Sequence, residues 1–282
     1  MNRRTCLIPL LVAVALSALA LAQDFLPLLG TADSYTAPFP EGERLSYEIY
    51  WKPLFLLPAL KAGEVRLEIG IARDSGPEVW RIRAWADSDG ALTRFAGFEV
   101  RNYFESDIDR WNFRSYRNLQ KMREGQRHRD LELRFDYDHN QTLVRETDPS
   151  ATPEKIIRNQ VKNGIPAPAV DILSAFYVTR LRQFSPGDRF LLHLNDRGEF
   201  QPVRVVALRR ENVKTPLGSF PSILLTTQGG LFRDGGEFRL WISQDELRIP
   251  LRFEADVKFG KVYGNLVRLE TPQLQRGLIR LR

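Results

Sequence analysis

Between Glu211 and Glu270 the chain alternates apolar and polar residues with a period of two, interrupted only by short turn segments. Phe238, Leu240 and Ile242 fall on one side and Arg239, Trp241 and Ser243 on the other. After Gln244-Asp245-Glu246, residues Ile249, Leu251, Phe253, Ala255 and Val257 form a second apolar row opposite Arg252, Glu254, Asp256 and Lys258. Phe259-Gly260-Lys261 then turns the chain into a returning stretch from Val262 to Leu269. Side chains that alternate in this way belong to strands, because a helix would repeat its apolar face every three to four residues. One oily and one charged face is the pattern of an antiparallel sheet buried on a single side.

The same period recurs upstream. Leu45, Tyr47, Ile49 and Trp51 alternate in a first strand, and Val65, Leu67, Ile69 and Ile71 in a second. Further strands are read at Pro77–Ala86, Phe98–Tyr103, Trp111–Tyr116, Arg127–Tyr137 and Gln141–Glu146, separated by turns such as Asp74-Ser75-Gly76 and Ser88-Asp89-Gly90. From Asp148 to Ala169 five prolines and glycines break any period. That stretch reads as a crossover loop with a brief strand at Lys155–Arg158. Asp171 then caps one helix with an apolar stripe through Ile172, Leu173, Phe176 and Leu181, ended by Phe184-Ser185-Pro186-Gly187. Strands at Phe190–Leu194, Phe200–Leu208 and Phe220–Thr227 lead back into the C-terminal ribbon. The fold expected is mainly β: a large curved antiparallel sheet or an open, incomplete β-barrel with one main α-helix packed against it.

The beginning of the chain carries an address. Arg3 and Arg4 precede an apolar run from Leu7 to Leu19, and Ala20-Leu21-Ala22 supplies a small-x-small cleavage pattern. Residues 1–22 therefore read as a secretory signal peptide, too short in its apolar run to span a bilayer. Export is expected, to the periplasm, with no integral membrane span after cleavage. Cys6, the single cysteine, lies inside this leader, so the mature chain has no thiol for a disulfide, for catalysis or for a metal. The formal charge of +6 comes from basic residues scattered among acidic ones, which argues against nucleic acid as a partner.

No stretch assembles a recognisable reaction centre. His128, His139 and His193 lack metalloprotease spacing, and Asp136-Tyr137-Asp138-His139 reads as a polar turn rather than a metal site. Ser174 and Ser219 lie outside any nucleophile elbow, and Gly229-Gly230 and Gly235-Gly236 match no phosphate-binding loop. No catalytic residue, metal or cofactor is assigned. The aromatic residues are more informative. Trp80, Trp85, Trp111 and Trp241 lie among strands, and Phe176 lies on the helix. They serve either as plain core filling or as the wall of a groove or cup for a lipid, acyl chain or peptide. Trp51, Leu54, Phe55, Leu56 and Leu57 belong to an oily stretch bounded by Pro53 and Pro58. Pro removes ladder donors, so this stretch reads as a loop, and as a candidate lip for a lipid or a protein partner. These ten residues are the candidate apolar-ligand or interface positions.

Four spaced motifs resemble the DUF3108 family of exported bacterial proteins. They are Gly42-Glu43-Arg44-Leu45-Ser46-Tyr47 with Ala62-Gly63 downstream; Asp171-Ile172-Leu173-Ser174-Ala175-Phe176-Tyr177 followed by Arg180; Val213 to Phe220; and Trp241-Ile242-Ser243 followed by Arg248-Ile249-Pro250. The resemblance implies an exported, β-rich protein and supplies no catalytic residues. It divides the chain into the signal peptide (1–22), a linker (23–41), one β-rich domain (42–270) and a tail (271–282). The function expected is non-enzymatic binding of an apolar ligand or envelope component. The alternatives are an envelope assembly protein acting through protein contacts and, third, an envelope-polymer hydrolase.

Overall fold

The structure is a computed structural model and describes residues 26–27, 36–54, 58–73, 78–88, 99–228, 236–257 and 260–272. The segment read as a signal peptide, the candidate positions Phe55, Leu56 and Leu57, and the tail beyond 272 lie outside the described residues. The chain runs β1 (Leu26–Pro27), β2 (Glu43–Pro53), β3 (Leu60–Ala72), β4 (Val79–Ser88), β5 (Arg101–Asp109), β6 (Ser115–Glu124), β7 (Arg127–Asp136), β8 (Gln141–Asp148) and β9 (Lys155–Asn163). It continues through β10 (Ala169–Asp171), α1 (Ile172–Val178), a 3-10 turn (Thr179–Leu181), β11 (Arg189–Asp196), β12 (Glu199–Thr215), β13 (Gly218–Gln228), β14 (Phe238–Ser243), β15 (Pro250–Val257) and β16 (Gly260–Glu270).

All these strands join one sheet in the order β1-β11-β12-β13-β14-β15-β16-β2-β3-β4-β5-β6-β7-β8-β9, with β10 parallel to β11 beside β1. The period-two ribbon forms β13 to β16 as expected, and β16 pairs with β2, so the end of the ribbon meets the start of the domain. β9 is longer than the sequence suggested: it runs nine residues and pairs along β8. Its lack of alternation hid it, since most of its side chains are exposed on both faces.

The sheet curls without closing into a barrel, because no ladder among the described residues joins β9 to β11. Side chains bring its ends together instead. Arg158 on β9 donates to the Arg197 carbonyl (2.9 Å), Lys162 pairs with Glu199 (2.8 Å), and the Phe135 and Phe200 rings lie 6.1 Å apart. Gly198 makes this approach feasible: a Cβ there would lie 2.5 Å from the Val144 side chain. The inner face of the curl carries Leu45, Tyr47, Leu67, Ile69, Ile82, Ala84, Leu192, Val203, Leu225, Leu240 and Leu251 as core.

Antiparallel connectivity sorts the turns into two ends. The β2–β3, β4–β5, β11–β12, β13–β14 and β15–β16 connections share one end, and β3–β4, β5–β6, β12–β13 and β14–β15 the other. The helix occupies the inside of the curl and fills the second end. Those two ends differ in what fills them.

Candidate functional site

The buried carboxylates around the helix are engaged, while the buried Tyr177 hydroxyl has no hydrogen-bond partner. Asp171 caps α1 by accepting from the Leu173 and Ser174 amides (3.0 and 3.1 Å), and Ser174 returns a bond to the Asp171 amide (2.8 Å). The same carboxylate accepts from Ser106 (2.5 Å) and Ser115 (2.6 Å) on the inner faces of β5 and β6, and from Asn118 (3.2 Å). A buried carboxylate with five donors is compensated for its lost water. It ties the helix start to the sheet.

At the plugged end, nine residues after Asp171, Arg180 makes a two-pronged ion pair with Glu43 (2.6 and 2.8 Å) and donates to the Leu247 carbonyl, with both partners essentially out of solvent. Burial works against the Arg180 charge, but Glu43 outweighs it and raises its pKa. Tyr47 donates to the Pro250 carbonyl (2.7 Å), and Arg248 donates to the Arg180 carbonyl. The Phe39 ring packs edge-on against Trp80, Phe113 and Tyr177 (5.5, 6.1 and 5.0 Å). Residues from the first, second and fourth motifs thus meet in one knot. Their work is to seal this end.

The opposite end is hollow. A cavity of about 650 Å³ lies inside the curl, enclosed by Val65 and Leu67 of β3, Ala84 and Ala86 of β4, Phe104 of β5, Phe253, Ala255 and Val257 of β15, and Val262 of β16. Helix α1 supplies its floor through Ile172, Leu173 and Phe176. Phe176 stands edge-on to Phe238 and Phe253, each at 6.0 Å. A smaller void of about 50 Å³ shares Ile172, Phe176, Leu194 and Phe238 with it. Protein interiors pack like organic crystals and hold few voids larger than a water molecule. A space of this size, within the roughly 300–1,000 Å³ usual for small-molecule sites, is therefore a built feature rather than a packing defect.

Sequence and local structure explain the hollow. Ala84 and Ala86 are small residues on the inward face of β4, where alternation demands large ones for a filled core. Gly264, paired with Phe253, leaves room for that ring to lie flat on the wall: a Cβ would stand 2.4 Å from it. The polar groups in the lining are few. Gln120 lies on β6, and Asn195, Asp196 and Arg197 lie at the β11–β12 tip.

The candidate positions separate accordingly. Phe176 lines the cavity. Trp51 is half-buried and pairs with Val262, which places it on the inward face near the cavity end. Leu54, in the β2–β3 connection at that end, is 67% exposed. Trp80 is part of the plug, under Arg110 (5.3 Å). Trp111 is exposed in the β5–β6 turn. Trp85 and Trp241 lie on the outer face. Trp85 lies beneath Arg66 and meets the Tyr103 ring at a tilt, while Trp241 lies beneath Arg252 (5.4 Å) and donates to Glu211 (2.7 Å). The alanines, Val65, Phe104, Phe253 and the β11–β12 tip were not among the candidates. Small residues at inward strand positions are the signal that would have found them.

Elsewhere, Asp136 accepts from the His139 amide and ring (3.0 and 2.7 Å), closing the β7–β8 turn. Among the described residues no group of three or more His, Cys, Asp or Glu is placed to hold a metal ion, and no helix is long and apolar enough to cross a membrane.

Comparison with known proteins adds to this geometry. A family model described as Protein of unknown function (DUF3108) matches residues 46–267. The solved structure of a beta-barrel-like protein of domain of unknown function DUF1849 from Brucella abortus is similar at a TM-score of 0.52, with 11% identity, over 83% of this chain and 99% of that one. At that identity the likeness concerns the fold alone. A protein with a YmcC-like fold from Bacteroides fragilis aligns over 84% of this chain and all of its own, at 11% identity and a TM-score of 0.31, too low to carry an argument. A search of curated protein sequences finds no match.

Proposed function

The chain belongs to the DUF3108 family, and we propose that it is an exported periplasmic protein that holds the acyl chain of an envelope lipid in the cavity, without catalysing a reaction on it. The cavity itself carries the proposal: about 650 Å³ of space walled by apolar side chains of both sheet and helix. Apolar cavities stay dry and take up apolar guests. Each methylene moved from water into such a wall contributes about 0.8 kcal/mol. The apolar leader at residues 7–19 and the small-x-small pattern after it support export. The buried Asp171 and Glu43 carboxylates are engaged in holding the helix.

Native mass spectrometry of gently purified protein, followed by extraction and displacement of a fluorescent naphthylamine probe, tests this reading. Bound lipid and saturable probe uptake are expected. Ala86→Trp, which fills the cavity from its wall, is expected to abolish uptake with little change in melting temperature. Uptake undiminished in this variant would sink the proposal.

A specific observation favours a second reading, an assembly protein that acts through its sheet edge. β9 is an edge strand whose Ile156, Ile157 and Val161 are exposed, beside exposed Leu143 on β8. An exposed apolar edge is a template for strand addition. Photo-crosslinking from position 156 in cells is expected to trap an envelope protein under this reading and nothing specific under the first.

A further inference from the structure

Resting on the acyl-ligand reading and extending it, we infer that the β11–β12 tip receives the carbonyl oxygen at the polar end of the acyl chain. Asn195 is 3% exposed and lines the cavity. Its Oδ1 is occupied by the Gly198 amide (2.8 Å), which holds the turn, while its Nδ2 has no hydrogen-bond partner. A buried amide donor left without an acceptor is costly, and native proteins rarely keep one idle. The acceptor missing from the protein is of the kind that an acyl ligand brings.

The neighbouring residue points the same way. Arg197 lines the same stretch of wall, and no carboxylate among the described residues pairs with its guanidinium. It occupies the first position of a two-residue hairpin turn at φ 53, followed by Gly198 at φ 93. Both positions of such a turn call for the left-handed region, which Asn and Gly adopt readily and arginine does not. Local strain of this kind collects where a side chain has a task. Asp196 lines the wall beside it and offsets the Arg197 charge locally, so the surplus of donors selects a carbonyl oxygen rather than net charge selecting any anion. The apolar walls of β3, β4 and β15 then accept the chain beyond the carbonyl.

A carbonyl oxygen is common to a free fatty acid and to an esterified acyl chain, and the probes separate the two. Displacement titrations use dodecanoate, methyl dodecanoate and dodecane with the unmodified protein, Asn195→Asp and Arg197→Asn. Asn195→Asp keeps the acceptor that holds the turn and replaces the donor. It is expected to weaken both carbonyl ligands about tenfold and to leave dodecane unchanged. Arg197→Asn, which suits the turn, is expected to weaken both carbonyl ligands, and dodecanoate by more than the ester if the site is built for a free acid. In the unmodified protein the Asn195 side-chain amide resonances are expected to shift with methyl dodecanoate and not with dodecane, a readout that requires no variant to fold. Equal losses for all three ligands, or none, together with unmoved amide resonances, would overturn the carbonyl assignment while leaving the acyl cavity standing. Failure of all three to bind the unmodified protein would overturn both.

Discussion

The two ends of the curled sheet use the same helix in opposite ways. At the plugged end the turn from Val178 to Arg180 is packed on all sides, with Glu43, Tyr47, Phe39 and Trp80 gathered around it. At the cavity end the first turn presents Ile172, Leu173 and Phe176 to empty space. The helix is seven residues long, so a single element separates a region specified by fixed polar partners from one walled mainly by apolar side chains. The contrast shows why the spaced motifs say little about ligands. Glu43, Tyr47, Arg180, Arg248 and Pro250 of those motifs serve the plug.

Four measurements break or sharpen that contrast. Glu43→Ala leaves the Arg180 charge buried without its partner and is expected to cost about 3–5 kcal/mol in urea unfolding; a loss below about 1 kcal/mol would show that the plug does not depend on the pair. Asp171→Ala removes the helix cap and strands the donors of Ser106, Ser115 and Asn118. Its expected cost is about 2–3 kcal/mol, with helical circular dichroism reduced.

Gly264→Ala should cost only about 1 kcal/mol, because the displaced Phe253 ring can swing into free volume instead of overpacking a core. The same variant should weaken uptake of the naphthylamine probe, so unchanged uptake would argue that Phe253 stays on the wall. The smallest effect is expected from pH. On the outer face Glu105, Glu132 and Asp109 titrate below the ordinary carboxylate range. Burial pushes each upward, but hydrogen bonds from Tyr103 and Arg83, from Arg117 and Arg134, and from Tyr116 and the Asn112 amide respectively outweigh it. Folded values below the unfolded ones mean that the contribution is present at neutral pH. It is lost as the pH falls through the carboxylate range toward the folded values. Urea midpoints are expected to decline between pH 6 and pH 3 without loss of the plug, which a retained near-ultraviolet signal from Trp80 would report.

Much of this architecture was legible in the chain. Alternation in Leu45–Trp51 and Ile249–Val257 placed strands and their inward faces, and Asp171 announced the helix because a cap is a local device. The Glu43–Arg180 pair was not legible, since 137 residues separate its members and only the closing of β16 on β2 brings their elements together. The ring-bearing candidates divided for a different reason. Residue type suggested Trp85 and Trp241 as cavity walls, but alternation already set them opposite Ala84 and Leu240. The strand period was the better guide than aromatic character. Only the start of β9, Lys155–Arg158, reads as strand in the sequence, because an edge strand exposed on both faces has no apolar period to display.

The line along which β9 meets the β11–β12 hairpin has a mechanical meaning. A closed barrel fixes its girth through continuous hydrogen-bonded ladders, and widening it breaks them in series. Here the described residues complete the circumference through side chains, among them Arg158 on the Arg197 carbonyl, the partly exposed Lys162–Glu199 pair and the Phe135–Phe200 rings. A single exposed ion pair contributes only about 0–1 kcal/mol. The wall therefore has a seam that can part without disturbing the backbone pairing on either side. Its girth is set by side chains rather than by strand count.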